Sequence, residues 1–359
     1  MINLTFYCNT EGNTGFGKHA RELSLELNKI CNLRLIGTYK PEMNRELKPC
    51  FEKKAFEETD YALILAPPMY WETIRRNHTF SVGYGIFEGT KIPTGWAKNC
   101  EDLDLVIVPS NHTREAFESQ MDKKDFNKIK VIPHGVNKTI YNNKVKPNPK
   151  LMNEFKGKFK FLFVGGWSQG MNDRKGAQFL LKAFNDEFGK EEKVLLIMKY
   201  NMSYCNKEHI DKQIKILKMR KEGAEIIQIF EELSEEDLAS LYASCDCVVS
   251  PHMSESWGMA MSEAISVGKP LIATNYGGVT DFGNSGINSH LIKGVFVPVI
   301  SEPKNYYEEA EWMCPDKDEL QKALRNTFNG KIKFDMRENL IVGWDETAKL
   351  IIKEMEKLK

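Results

Sequence analysis

The sequence lacks net charge: over 359 residues, fifty lysines and arginines balance fifty aspartates and glutamates. Without a basic excess there is no general drive toward a phosphate backbone, which argues against nucleic acid as the main partner and leaves open only a local basic groove. It also lacks any Cys-x-x-Cys pair. The eight cysteines (8, 31, 50, 100, 205, 245, 247 and 314) are scattered, against a zinc knuckle or a thioredoxin-type redox site. A chain of this size has no need of disulfides for stability. No apolar run approaches the ~18 residues that cross a bilayer. The longest, LVIVP (105–109) and VLLIM (194–198), read as buried strands. MINLTFYCNTEG passes from an apolar stretch into a turn with no basic lead-in, unlike a signal peptide. The expectation is a reduced, cytoplasmic, soluble protein. What is present is apolar mass: 42% hydrophobic and 11% aromatic residues suffice for two cores, and two domains are expected at ~100–200 residues each.

Apolar runs of strand length alternate with segments of helical period. INLTFYC (2–8) leads into a glycine-rich turn and a helix with Ala20, Leu23, Leu27 and Ile30 on one face. ALILAP (62–67), SVGYGIF (81–87), LVIVPS (105–110) and IKVIPHG (129–135) continue the series. Runs that are apolar throughout suit parallel strands covered on both faces. The stretch 142–158 (NNKVKPNPKLMNEFKGK) reads as an interdomain connection, its two prolines opposing a continuing helix. The alternation then restarts with FKFLFVGG (159–166), a helix from Lys175 carrying Leu181, Phe184 and Phe188, and strands at 194–200, 225–230, 247–251 and 270–274. Ser234 before three acidic residues marks a helix start. The segment 338–358 is amphipathic and predicts a final helix. Together these predict an α/β protein of two doubly wound parallel-sheet domains, 1–150 and 151–335, with 336–359 returning to the first. Ligands of such sheets bind beyond the carboxyl ends of the strands.

Three segments in those positions carry chemistry. PHMSESWGMAMSEAISVGKPLIAT (251–274) places Glu255 in a loop, Trp257, Gly258 and Met259 at a helix start, and Glu263 within the helix. Unpaired backbone N–H groups and the positive dipole end make the helix start an anion site, while the carboxylates suit sugar and ribose hydroxyls. GGWSQGMNDRKG (165–176) follows a strand with Gly165 and Gly166, then sets Arg174 and Lys175 where a helix start would hold a diphosphate. GNTGFGKHARELSLELN (12–28) has glycines spaced G-x-x-G-x-G, unlike the dinucleotide fingerprint.

Glu255, Gly258, Glu263 and Ala264 stand in the frame E-x-x-G-x-x-x-x-E-A, with Pro251 ahead and Gly268-x-Pro270 and ATNYGGVTDF (273–282) behind. In this the chain resembles the retaining glycosyltransferases of family 4, across most of 159–316. The resemblance implies the GT-B fold, two Rossmann-like domains facing a cleft, with the C-terminal helix packing back on the N-terminal domain. It further implies transfer from a UDP- or GDP-sugar to a glycan, lipid or protein hydroxyl. Lys175, and with less support Arg174, would stabilise the departing diphosphate, Glu255 would hold the sugar, and Glu263 the ribose. Gly15 and Gly17 would approach donor or acceptor, with Lys18 and His19 beside them, and Glu88 would touch the acceptor. The family's usual arginine directly after the glycine is replaced by Trp167. None of His78, His112 and His134 matches the family's N-domain histidine, and His134 reads as a turn cap. Asp102-x-Asp104 precedes a strand instead of ending one, so neither metal nor other cofactor is expected. Residues 207–221 carry basic side chains and a stripe of Ile210, Ile214 and Leu217, which fits either a peripheral contact with anionic lipid or a helix packed on its own sheet. A sugar-nucleotide epimerase and a non-catalytic nucleotide-sugar-binding protein remain the alternative functions.

Overall fold

A computed structural model describes residues 2–12, 14–40, 44–57, 60–75, 77–300, 306–336 and 341–359. The chain forms two compact units: Met1–Asn137 with Glu302–Ala310 and Val342–Lys359, and Lys138–Ser301 with Glu311–Ile341. The segment we read as an interdomain connection thus begins the second unit.

The first unit runs β1 (Asn3–Tyr7), α1 (Gly15–Ile30), β2 (Asn32–Ile36), α2 (Lys48–Glu52), β3 (Tyr61–Ile64), α3 (Trp71–Arg75), β4 (Phe80–Tyr84), α4 (Thr94–Glu101), β5 (Leu105–Val108), α5 (Asn111–Glu118) and β6 (Ile129–Val131). Its six strands, among the described residues, are parallel in the order β2-β1-β3-β4-β5-β6. Central strands β3 and β5 are buried at every position, whereas edge strand β2 alternates buried Leu33 and Leu35 with half-buried neighbours. A strand covered on both faces has no polar side to show, and so reads as an unbroken apolar run. Residues 306–310 come back to this unit, where Tyr306 and Tyr307 pack on Phe87 and Lys91 pairs with Glu309 at 2.6 Å.

The second unit runs α6 (Pro149–Glu154), β7 (Phe159–Gly165), α7 (Ala177–Glu187), β8 (Val194–Tyr200), α8 (Lys207–Ile216), β9 (Glu225–Ile229), α9 (Glu235–Ser244), β10 (Cys247–Ser250), α10 (Met259–Ser266), β11 (Leu271–Thr274), α11 (Val279–Phe282), β12 (Ser289–Ile292), the hairpin β13 (Gly294–Pro298) and β14 (Glu311–Pro315), and α12 (Lys317–Phe328). The chain ends in α13 (Trp344–Glu356), a member of the first unit that packs on α1. Residues 338–340 of the predicted final helix lie outside the described residues, and 341–343 precede the helix. The second sheet is also parallel, in the order β12-β11-β10-β7-β8-β9.

Its chain order reverses between β7 and β10. From β7 the strands are laid outward through β8 to β9, and the chain then returns to place β10 on the other side of β7. Such a switch point leaves a crevice at the carboxyl ends of the two adjacent strands. The loops that follow β7 and β10 are the ones carrying Arg174, Lys175 and Glu255.

Two local readings become specific. Proline does not keep helix out of the connection: Pro149 sits in the first turn of α6, where no N–H is required of it, behind Asn148, whose side chain accepts from Leu151 N at 3.2 Å. The stripe on α8 is spent on the protein's own core, since Ile210 is fully buried and Leu217 nearly so. No described helix is long and apolar enough to cross a membrane.

Candidate functional site

The loop after β7 is built around Asp173. Its carboxylate accepts from Ser168 N (2.7 Å), Gln169 N (3.1 Å) and Lys175 N (2.9 Å), closing the loop into a fixed turn. Trp167 fills the space beneath it, fully buried, with its indole Nε1 donating to Gly170 O at 2.6 Å. The tryptophan in the arginine's place is therefore a pillar of the loop. Helix α7 begins at Ala177, two residues later than expected, because Gly176 takes a left-handed conformation with φ 83°. Arg174 and Lys175 consequently stand in the loop, ahead of the helix.

Gly176 also lies against the neighbouring loop. A Cβ there would come within 2.0 Å of Pro251 O, so the left-handed backbone and the close approach both demand glycine. Gly176→Ala is expected to lower stability by at least about 2 kcal/mol, read as a drop in the urea midpoint. An unchanged midpoint would show that the two loops do not depend on this contact.

The loop after β10 is stitched to its surroundings residue by residue. Met253 N donates to Arg174 O at 2.7 Å, Arg174 Nη1 donates to Ser254 O at 3.1 Å, and Gly278 N donates to Glu255 O at 2.8 Å. The Glu255 carboxylate then receives both cations: Arg174 Nη1 lies 3.1 Å from Oε2, and Lys175 Nζ is hydrogen-bonded to Oε1. Burial pushes this carboxyl up, but the Lys175 ammonium and the Arg174 guanidinium outweigh it, and its pKa falls to about 2. Glu255 is ionised at every working pH.

Gly258 caps α10 in a left-handed conformation, φ 97°, and a Cβ would collide with Met261 Cε at 2.1 Å. Met259 opens the helix half-buried, and Trp257 is inside, its ring 4.8 Å from Phe282. Glu263 is buried on the same helix and accepts from the Tyr242 hydroxyl at 3.4 Å. Tyr141 packs edge-on against Tyr242 and donates to Glu235 at 2.5 Å. Burial, and then the charge of Glu263, raise both tyrosine pKa values, so the phenols stay protonated and able to donate. Gly165 and Gly166 close β7, the second against Tyr204 Cβ.

In the first unit, Thr14 caps α1 by accepting from Gly17 N at 3.1 Å, and a Cβ on Gly17 would meet Glu11 O at 2.4 Å. Gly17 thus has a packing reason of its own, while Gly15 opens the helix. Glu88 lies in the loop after β4 and accepts from the Tyr307 hydroxyl at 3.4 Å. Two histidine readings change. His19 is fully buried, enclosed by Tyr84, His134 and Trp344 at centroid distances of 4.6, 4.3 and 5.0 Å, which removes it from an acceptor-facing surface. His134 is part of the same aromatic cluster and caps no turn. Asp102 ends α4 in an ion pair with Arg75, and Asp104 accepts from Ser81 N. Among the described residues no three His, Cys, Asp or Glu side chains gather to hold a metal.

Residues 148–328, half of the chain, match the family model described as glycosyl transferases group 1. The chain belongs to that family. It is 27% identical over 229 residues to an uncharacterized glycosyltransferase of Methanocaldococcus jannaschii, a match covering 64% of this chain and 54% of that protein. The chain thus spans about half the length of this curated relative. Among solved structures it is similar to sucrose-phosphate synthase from Thermosynechococcus elongatus (TM-score 0.71, 14% identity, 100% and 99% of the two chains covered). It is also similar to Anabaena HepE in complex with UDP and glucose (TM-score 0.68, 14% identity, 99% and 100% covered). At these identities the likeness establishes the fold, which is GT-B with two Rossmann-like units.

Sequence reading missed Asp173 and His252, and marked Trp167 only as the residue in the arginine's place. Asp173 was legible in principle: an acid two residues before a cation in a glycine-rich turn is an Asx-type loop organiser.

Proposed function

We propose that this protein transfers a sugar from a UDP- or GDP-sugar to a hydroxyl of a glycan, lipid or protein acceptor, with retention at the anomeric carbon, as a family 4 retaining glycosyltransferase. The observation that carries this reading is the pair Arg174 and Lys175, held on Glu255 at the switch point of the second sheet. Breaking the bond from the anomeric carbon to the diphosphate leaves an oxocarbenium-like sugar and a concentrated negative charge. Two cations and the N–H groups at the start of α10 are aimed where that charge develops, and one such preorganised donor is worth ~3–4 kcal/mol of barrier. These groups supply the charge compensation a divalent ion would otherwise give, so the proposed reaction uses no metal. Glu263, in its phenol-lined site, suits the two hydroxyls of a ribose, and Glu255 suits those of the sugar. Glu88 beneath Tyr307 is the proposed acceptor contact on the first unit.

A thermal-shift screen with UDP, GDP and their sugars tests the reading, followed by product analysis of the stabilising donor with and without glycan or lipid acceptors. Glu263→Ala is expected to weaken binding of that donor about tenfold or more, since a charged acceptor of ribose hydrogen bonds is lost. Product with an inverted anomeric centre would remove the retaining assignment, an epimerised donor would replace transfer by epimerisation, and no shift by any nucleotide sugar would sink the proposal.

A further inference from the structure

His252 lies three residues before Glu255, fully buried, and both of its ring nitrogens are engaged. Nε2 is 2.8 Å from Tyr276 O, and Nδ1 is 2.9 Å from Ser250 O and 3.3 Å from Ser250 Oγ. Both nitrogens face a carbonyl, which only accepts, but Nδ1 alone also has a hydroxyl within reach. The neutral tautomer that leaves both nitrogens hydrogen-bonded therefore has Nε2–H donating to Tyr276 O and Nδ1 accepting from the Ser250 hydroxyl. Tyr276 belongs to the loop after β11, the same loop whose Gly277 and Gly278 lie flush against Glu255. A Cβ on Gly277 would come within 2.5 Å of Glu255 O, and one on Gly278 within 2.4 Å of Ser256 O. Ring and glycines therefore bind the β11 loop to the β10 loop on either side of the carboxylate.

We infer that His252 is the positioning residue for Glu255: a ring donating from Nε2 to Tyr276 fixes the backbone that presents the carboxylate to Arg174 and Lys175. The inference rests on the glycosyl-transfer reading of this site and names a part of it that the family frame does not mark. Burial holds the imidazole below its ordinary pKa, and Lys175 acts in the same direction. Glu255 and the carbonyls of Tyr276 and Ser250 oppose them. The charged groups facing the ring are thus Glu255 on its own loop and Lys175 from the β7 loop. Protonation keeps a partner for each nitrogen, since Nδ1–H can donate to Ser250 O, but it sets a third positive charge beside Glu255 and draws the carboxylate from Lys175. Activity then falls on the acid side through this ring, because Glu255 itself stays ionised down to about pH 2.

The test compares the wild type with His252→Gln, which retains an N–H donor, and His252→Phe, which does not. The readout is hydrolysis of the UDP- or GDP-sugar that stabilises the wild type. His252→Phe is expected to lower kcat at least tenfold with donor KM changed less. His252→Gln is expected to recover most of that loss and to abolish the acid limb of kcat. Wild-type kcat in His252→Phe, equal loss in both variants, or an acid limb that persists in His252→Gln would each overturn the proposal. Imidazole ¹⁵N spectra of the wild type give a readout independent of turnover. An Nε2–H tautomer that persists below pH 6.5 is expected, and an Nδ1–H tautomer overturns the inference directly. If the wild type turns over no nucleotide sugar while that tautomer is present, the function assigned to the site is what fails.

Discussion

Lys175→Met is expected to slow sugar transfer by about a hundred- to thousandfold, the loss of one preorganised positive donor to the leaving diphosphate. The same change should cost about 2 kcal/mol of stability, because Glu255 keeps only Arg174 as a partner. Losing one member of a fully buried pair costs ~3–5 kcal/mol, and the Lys175 side chain, 30% exposed, earns less than that. Glu255→Gln should behave differently. In the free protein the carboxylate already neutralises both cations, so an incoming diphosphate must displace it. Glutamine keeps the shape without the charge, and UDP or GDP should bind about tenfold tighter while transfer falls steeply. Calorimetric binding of the nucleotide beside single-turnover transfer checks both signs. Parallel weakening of binding and turnover in Glu255→Gln would show that the carboxylate does not compete for the cations.

How far the sequence foretold this site depends on what kind of residue is asked about. The residues proposed to touch a ligand could be picked out, because chemistry restricts their type and the frame restricts their spacing, and the structure sets Glu255, Glu263 and Lys175 in the loops and helix around one switch point. Residues that shape the loops could not be. Trp167 is replaceable by anything that fills the same space and reaches Gly170 O, and His252 works through a carbonyl 24 positions along the chain that only the fold brings near. In the fold, buried strands such as β8 were plain because they open on an unbroken apolar run, VLLIM at 194–198. Strand β2 was not, since an edge strand with Asn32 and Arg34 among its leucines looks like an ordinary polar segment. Hairpin strand β13 failed for the opposite reason: its apolar Val295 and Phe296 are exposed, so its pattern signals no core.

The second large effect concerns the first unit at acid pH. His19 and His134 sit with Tyr84 and Trp344 in a fully buried cluster, and neither ring nitrogen of His19 has a hydrogen-bond partner. Burial holds the pKa of His19 well below the ordinary imidazole value, with the charge of His134 acting the same way, and burial takes His134 to about 3. Both rings are therefore neutral in the folded protein, while in the unfolded chain each takes a proton near pH 6.5. Proton uptake favours the unfolded state, so stability is full above pH 6.5 and falls as the pH drops toward 3. Between pH 6.5 and 5.0 the two groups together are expected to remove ~3 kcal/mol, the slope for each ring steepening toward about 1.4 kcal/mol per unit as the unfolded imidazole becomes fully protonated. His252 adds a loss of the same sign from the second unit, and the contribution of the first is isolated by difference. His19→Phe keeps an aromatic ring among Tyr84, His134 and Trp344 but cannot take a proton. Its urea-unfolding free energy should fall with pH more gently than the wild type's, by one proton's slope across that window. Equal slopes in the two proteins would mean that His19 binds a proton as readily folded as unfolded, and that the aromatic cluster does not exclude charge.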